Sequence, residues 1–485
     1  MNGQNSRFDF AAPVAPLEEL GAVHFIAIGG AGMSGVARVM LARGCRVTGS
    51  DAKESPVLAA LAAEGADVHV GHDPARVEHV DTVVISSAIR EDNVELAAAR
   101  RLGLRVLHRS QALASTMAGS RRVAVAGANG KTTTTSMLTV ALQHCGVDPS
   151  FAAGGELAKH GTNAHWGTGD IFVAEADESD GSFLVYRPEV AVVTNVQPDH
   201  LDFYGTFAKV QEAYAAFAAS VQPDGLLVAC HDDEGSRALA QQARAAGLRV
   251  LTYGWAAEAD LVLSDEVFRG LMGRVTLTGA DAQPRLLRIN IPGRHNLLNA
   301  AAAYAAAVEG LGQDPVRVLD GLFGFTGTRR RFEPKGSAAG VAVVDDYAHN
   351  PGKVAAVVGT AADLVRSTDR VGGRPGRLVV VFQPHLYSRT RDFAAEFATA
   401  LGPADTVVLM EVYGAREDPV PGVSSKLIAD ALLGQRPDAD VELISSWSAV
   451  AAAVAQRVTD GDLVLTVGAG DVTMIGPEIL RALRG

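Results

Sequence analysis

GANGKTTTTSML, Gly127 to Leu138, decides how this chain reads. The apolar run VAVAG leads into it. Behind it, Met137, Leu138, Ala141, Leu142 and Cys145 recur at the spacing of one helical face, so the context is strand, loop, helix. Gly127 and Gly130 free backbone N–H groups to turn inward toward an anion, Lys131 offers a cation to terminal phosphates, and the Thr132 hydroxyl offers a ligand to magnesium. The pattern GxxxxGK[ST] is met everywhere except its first position, which is Val125. An unused turn gives no reason for Gly-Lys-Thr together, so the stretch is read as a site for ATP with Mg2+.

A second glycine loop lies earlier in the chain. Gly30-Ala31-Gly32-Met33-Ser34-Gly35 follows the strand-like HFIAI and opens a helix-like VARVMLARG, and CRVTGSD then ends in Asp51 at the tip of another strand. By itself this pattern fits a dinucleotide, another diphosphate-bearing ligand, or close packing of helix on strand. Downstream of the phosphate loop, VAEADESDGSFL and VVTNVQPDHLDFYG each run from a strand into acidic residues. That puts Glu175 and His200 at strand ends, where they could complete a magnesium shell, while Asp177, Glu178 and Asp180 read equally well as a solvated acidic loop.

Short Val/Ile-rich runs without polar alternation, VHFIAIGG, DTVVISSA, RRVAVAG, VAVVTNV, GLLVAC, RLVVVFQ, DTVVLMEV and DLVLTVG, alternate with alanine-rich helical stretches. They predict an α/β protein with mostly parallel sheets buried on both faces. A chain of 485 residues exceeds one core. Breaks after Gly119 and in GFTGTRRRF suggest domains at 1–119, 120–327 and 328–485, with a hinge at Gly324–Thr328 and a surface loop at Ser367–Arg377. The composition, 48% hydrophobic and 20% charged, is that of a globular protein, and a net charge of −12 argues against nucleic acid or anionic membrane as a general partner. Cys45, Cys145 and Cys230 are too dispersed for a disulfide framework or a zinc site. With no basic, apolar leader and no long apolar run, a cytoplasmic protein without membrane insertion is expected.

Taken in order, GGAGMSG, SDAKES, GANGKTTTT, GGEL with GTNAHWG, EADESDGSFL, DHLDFYG, PGRHNLLNAAAA, GTRRRFE, DDYAHNP, FQPHLYSRTRDF and EVYGAREDPVPGVSS closely resemble the Mur ligases, in their alanine-adding branch, over nearly the whole chain. The resemblance implies a three-domain Mur ligase architecture: an N-terminal Rossmann-like domain for a UDP-sugar, a central P-loop ATPase-like domain and a C-terminal Rossmann-like domain. It assigns the first loop, Gly30, Gly32, Met33 and Ser34 with Asp51, to UDP-N-acetylmuramate rather than NAD. ATP would lie on Gly127, Asn129, Gly130, Lys131, Thr132 and Thr133, with His295, Asn296 and Asn299 near adenine and Asp346 closing over it; Asn296 reads equally as a helix cap.

Mg2+ would be held at Thr132, Glu175 and His200, and L-alanine at Tyr347, His349, His385 and Arg389. Lys131, Glu175, His200, Arg329 of the triplet Arg329–Arg331, and His349 would serve the chemistry: phosphoryl transfer to a carboxylate, then attack by an amine. A monomer or homodimer is expected. Against the alanine-adding pattern, Ala128 and Asn129 replace Thr-His, Gln197-Pro198 replaces Glu-Ala, Asn350-Pro351-Gly352-Lys353 follows DDYAH, and Leu386 stands where some members carry arginine. These departures leave open a ligase for another amino acid or a peptide, and a non-catalytic homologue that binds the UDP-sugar.

Overall fold

The computed structural model describes residues 7–157, 160–367, 375–415 and 417–484; residues 368–374 of the expected surface loop lie outside them. Every apolar run singled out above forms a strand, and most of these strands are buried at every position. A strand with no polar face has helices over both sides.

The first sheet is parallel: β1 (Val23–Ile26), β2 (Val47–Asp51), β3 (Asp67–Val70), β4 (Thr82–Ile85) and β5 (Arg105–His108), in spatial order 3-2-1-4-5. Helices α1 (Ala31–Ala42), α2 (Pro56–Ala63), α3 (Val94–Arg101) and α4 (Arg109–Thr116) connect and follow its strands. The strand order reverses between β1 and β4, so the first glycine loop, leaving β1, opens at the crevice where such sheets bind ligands.

The second sheet begins with β6 (Arg121–Ala126), which feeds α5 (Lys131–His144), and continues through β7 (Ser150–Leu157), β8 (Thr162–His165), β9 (Ile171–Glu175), β10 (Val190–Val193), β11 (Leu226–Cys230), β12 (Arg249–Gly254), β13 (Leu261–Arg269), β14 (Met272–Thr278) and β15 (Pro284–Ile289). Its order is 15-14-13-12-11-10-6-9-7-8, with β6 between β9 and β10 and parallel to both. The phosphate loop therefore also leaves a switch point, with the ends of β9 and β10 on either side of it.

The third sheet holds β16 (Glu333–Ala338), β17 (Val341–Asp346), β18 (Leu378–Phe382), β19 (Thr406–Met410), β20 (Asp440–Ile444) and β21 (Leu463–Val467) in order 16-17-21-18-19-20. Only β16 runs antiparallel to its neighbour; the remaining pairings are parallel.

Contacts gather the chain into two compact units. One comprises Met1–Glu266, Val275–Arg288 and Leu298–Phe325; the other comprises Val267–Arg274, Ile289–Leu297 and Thr326–Gly485. Among the described residues no helix is long and apolar enough to cross a membrane. In the first unit Phe183 stacks on Phe217 with ring centroids 4.9 Å apart and meets Tyr214 edge-on at 5.5 Å.

One carboxylate is buried inside the first sheet's packing. Glu95, in the first turn of α3, accepts bonds from Ser50 Oγ at 2.5 Å, His72 Nδ1 at 3.0 Å and the Asp73 N–H at 3.1 Å, with His24 Nε2 at 3.6 Å. Burial works to raise its pKa, but the nearby His24 ring and the bonds from Ser50 and Asp73 outweigh it and hold the group at about 2. A depressed folded-state pKa stabilises above the ordinary value of 4.5, and the gain is lost as pH falls from there toward 2. Glu95→Gln is therefore expected to lower stability by about 3 kcal/mol near neutral pH. Denaturant melts of both proteins across pH should show the gap closing below pH 4.5, whereas a gap independent of pH would contradict this account.

Candidate active site

At the end of β6 the backbone turns through Gly127 at φ +139° and Gly130 at φ +89°. A Cβ on Gly127 would stand 2.0 Å from Thr194 Oγ1, and one on Gly130 would stand 2.5 Å from Asn299 Oδ1. Both positions thus need glycine for conformation and for space. Residues just past β10 brace the loop from the side: Thr194 Oγ1 and Asn195 Nδ2 donate to the Asn129 carbonyl at 2.5 and 3.0 Å, and the Asn129 N–H donates to Asn195 Oδ1 at 2.9 Å. No side chain caps α5, so its first N–H groups keep their capacity for an anion.

Two carboxylates face the loop. Lys131 Nζ donates to the Gly127 carbonyl at 2.6 Å and pairs with Glu178 at 2.8 Å, while Thr132 Oγ1 donates to Glu175 Oε1 at 3.1 Å. Glu175 Oε2 also accepts the Gly154 N–H, at 2.5 Å. Burial tends to strip the Lys131 ammonium of its proton, but Glu178, Asp177 and Glu175 outweigh that and raise its pKa, so the ammonium stays charged. His200, at φ +53°, lies 3.7 Å from Glu178 and 3.9 Å from Asp199.

A hydroxyl and a carboxylate side by side, Thr132 and Glu175, are hard oxygen donors of the kind magnesium takes, and it usually completes its shell with phosphate and water. Accordingly, among the described residues no group of three or more His, Cys, Asp or Glu forms a protein-only cage. His200 lies within 4 Å of Glu178 and Asp199.

The solvated acidic loop considered for residues 177–180 is overturned for two of its members: Glu178 is 2% exposed and Asp180 is 8% exposed. Asp177 pairs with Arg109 Nη2 at 2.8 Å. Asp180 Oδ2 accepts from Ser87 Oγ at 2.5 Å and lies 3.2 Å from the buried His108 Nε2, whose other nitrogen caps α4 through the Ser110 N–H. Burial lowers the His108 pKa despite Asp180, which favours the neutral ring donating from Nε2.

The first glycine loop borders a cavity of about 330 Å3 whose lining includes Gly30, Gly32, Met33, Arg109, Glu175 and Asp177. Ser34 and Asp51 do not line it: Ser34 Oγ bonds the Ala31 carbonyl at 3.2 Å, and Asp51 Oδ2 accepts the Gly29 N–H at 2.9 Å, steadying the turn.

In the second unit, Tyr347, His349, His385 and Arg389 come together as expected. The His349 ring lies 5.2 Å from Tyr347 and 5.9 Å from His385, and Arg389 Nη1 is 3.5 Å from His385 Nδ1. His385 is half-buried and stacks on Tyr413 at 5.8 Å. Burial, aided by the cations Lys353 and Arg389, pushes the His349 pKa well down.

Of the arginine triplet, Arg330 and Arg331 lie over the Tyr347 ring at 4.7 and 5.5 Å. Asp346 accepts the Phe332 and Ala348 N–H groups, each at 2.8 Å, and so fixes the backbone around the cluster. His295 and Asn296 also belong to this unit, where Asn296 Nδ2 donates to the Pro292 carbonyl at 2.6 Å in the first turn of its helix; Asn299 belongs to the other unit, against Gly130.

Arg109, His108, Asn195 and Tyr413 were not singled out from sequence. Asn195, next to the strand run VVTNV, had the clearest available signal, a polar residue at the ligand edge of a buried strand.

Two glycine loops at the switch points of two α/β sheets, the second carrying a lysine and a magnesium-type donor pair, define a nucleotide-dependent enzyme class. Comparison with known proteins makes this specific. The Mur ligase middle domain matches residues 125–307, the Mur ligase family catalytic domain residues 22–121, and the Mur ligase glutamate ligase domain residues 330–470. The chain belongs to the Mur ligase family, with its three-domain architecture.

It is 54% identical over 472 residues to a UDP-N-acetylmuramate--L-alanine ligase of Renibacterium salmoninarum, covering 96% of this chain and 97% of that one. It is 55% identical over 475 residues to the enzyme of that name from Kineococcus radiotolerans, covering 97% and 98%. The crystal structure of a UDP-N-acetylmuramate-alanine ligase from Thermotoga maritima matches with TM-score 0.78 and 28% identity, over 95% of this chain and 98% of that one.

Gly130→Ala should weaken ATP binding about tenfold or more, because strain at a left-handed position and a clash with Asn299 both distort the loop. Titration with a fluorescent ATP analogue tests this, and unaltered affinity would show that the loop tolerates a side chain there.

Proposed function

We propose that this chain is an ATP-dependent ligase that joins L-alanine to the lactyl carboxylate of UDP-N-acetylmuramate, giving ADP, phosphate and UDP-N-acetylmuramoyl-L-alanine for peptidoglycan synthesis in the cytoplasm. The observation that carries the reading is the position of Glu175, which lines the cavity of the first glycine loop and also accepts a bond from Thr132 of the second. A UDP-linked carboxylate and the end of a triphosphate can therefore meet at one residue.

A carboxylate is a poor electrophile, so the first step transfers the ATP γ-phosphoryl group to it. The amine of L-alanine then attacks the acyl carbon, and phosphate leaves. Anion must approach anion, and the charged Lys131 ammonium beside the Gly127 carbonyl offsets that repulsion at the phosphates. Thr132 and Glu175, with His200 nearby, would hold Mg2+, which when bound supplies further positive charge to the phosphates.

In the second unit Tyr347, His349, His385 and Arg389 would receive the amino acid, and Asp346, His295 and Asn296, with Asn299 of the first, would serve the nucleotide. His349, with its pKa pushed down, is a neutral imidazole able to accept the proton that the attacking amine nitrogen loses as its C–N bond forms. An arginine of Arg329–Arg331 adds charge to the phosphates. The domains are drawn at 1–119, 120–327 and 328–485, with Gly324–Thr328 as hinge.

The test is phosphate release from ATP and Mg2+, with and without UDP-N-acetylmuramate, across L-alanine, glycine, L-serine and a peptide panel. Release is expected only with the UDP-sugar present and fastest with L-alanine. Turnover confined to a peptide would replace the acceptor, and binding of the UDP-sugar without turnover would leave a non-catalytic homologue. Lys131→Ala should abolish turnover while calorimetry still shows UDP-sugar binding, because the two nucleotides use separate loops.

A further inference from the structure

The cavity of the first glycine loop has a charge problem. Glu175 and Asp177 both line it, and among the described residues Arg109 is its one basic lining residue. A diphosphate entering beside two carboxylates, in a chain of net charge −12, meets repulsion that the first N–H groups of α1 offset only in part. Arg109 opens α4, and its guanidinium has two edges in use or in place. Nη2 bonds Asp177 at 2.8 Å, while Nη1 lies 2.9 Å from where a Cβ on Gly32 would stand, against the first turn of α1. Among the described residues Nη1 has no hydrogen-bond partner, although the guanidinium carries five donors.

We propose that Arg109 is the cation that receives the diphosphate of the UDP-linked substrate, and that Asp177 competes with the diphosphate for it. The inference rests on the reading that this cavity takes a UDP-sugar. It gives Arg109 a binding role and Asp177 a restraining one. The planar fork of arginine suits both partners, gripping phosphate oxygens as it grips a carboxylate. A Cβ at Gly32 would crowd the guanidinium, which would have to shift to admit it. Asp177 keeps the half-buried arginine compensated and sets a threshold that an uncharged ligand cannot cross.

The experiment is calorimetric titration of the full chain, without ATP or Mg2+, using UDP alone and UDP-N-acetylmuramate. Arg109→Ala should weaken both ligands about 30-fold, Arg109→Lys should fall between it and the parent, and Asp177→Asn should tighten both about threefold. Binding of an ATP analogue and the unfolding midpoint report whether each variant is folded, and if Arg109→Ala is not, the tightening by Asp177→Asn decides. Unchanged binding in Arg109→Ala, or weakening by Asp177→Asn, would overturn the proposal. A loss confined to UDP-N-acetylmuramate would move Arg109 to the sugar's carboxylate and overturn the diphosphate assignment. Failure of the parent chain to bind either ligand would instead remove the substrate reading beneath it.

Discussion

A desolvated cation needs a carboxylate, and in this protein the loop Asp177–Asp180 supplies several at once. Glu178 compensates Lys131 of the phosphate loop and stands near His200; Asp177 compensates Arg109 at the first glycine loop; Asp180 takes a bond from His108 at the end of β5. Three segments far apart in sequence, at His108-Arg109, Lys131 and His200, are thus drawn to one short acidic turn. For the Lys131–Glu178 pair, the more deeply buried of these, removing one partner leaves a charge unmatched, which is far costlier than the pair itself is stabilising. The loop therefore fixes where Lys131 stands relative to the cavity of the first glycine loop.

Sheet topology explains why these groups can meet. The first loop leaves β1 where the strand order reverses, and the phosphate loop leaves β6 between β9 and β10. Carboxyl ends of parallel strands gather at one edge, so Gly127, Glu175 and Thr194 are neighbours although a helix and further strands separate them in the chain. The two glycines of the phosphate loop are fixed by their positive φ and by their surroundings, Thr194 and Asn299, which leave no room for a Cβ.

Two departures from the alanine-adding pattern turn out to be one feature. Asn129 Nδ2 donates to Gln197 Oε1 at 3.1 Å, and Gln197 Nε2 donates onward to Asp233 at 3.0 Å. An amide at each position sustains a relay that braces the phosphate loop, so the substitutions are matched to each other. Asn350 has an equally local role, accepting the Lys353 N–H at 2.9 Å as the cap of the helix Pro351–Arg366. Leu386 holds φ +73° beside His385, a conformation a branched side chain adopts only under constraint; its N–H donates to the Tyr413 carbonyl at 2.9 Å.

What the sequence determined was whatever depends on local pattern: buried parallel strands from unbroken apolar runs, the phosphate loop from Gly-Lys-Thr between strand and helix, and the family from motifs in order along the chain. It also pointed to the gathering of Tyr347, His349, His385 and Arg389, because each motif carries its own signature. Only the tertiary structure decided how charges pair. A solvated Glu178 stayed an open reading because an acidic run has no periodicity to betray burial, yet it is the partner of Lys131. Arg109 gave no signal at all, since a single arginine at the start of a helix is unremarkable until folding sets it between Asp177 and Gly32. Electrostatic partnership depends on distance in space and on desolvation, and neither is written in the spacing of residues along the chain.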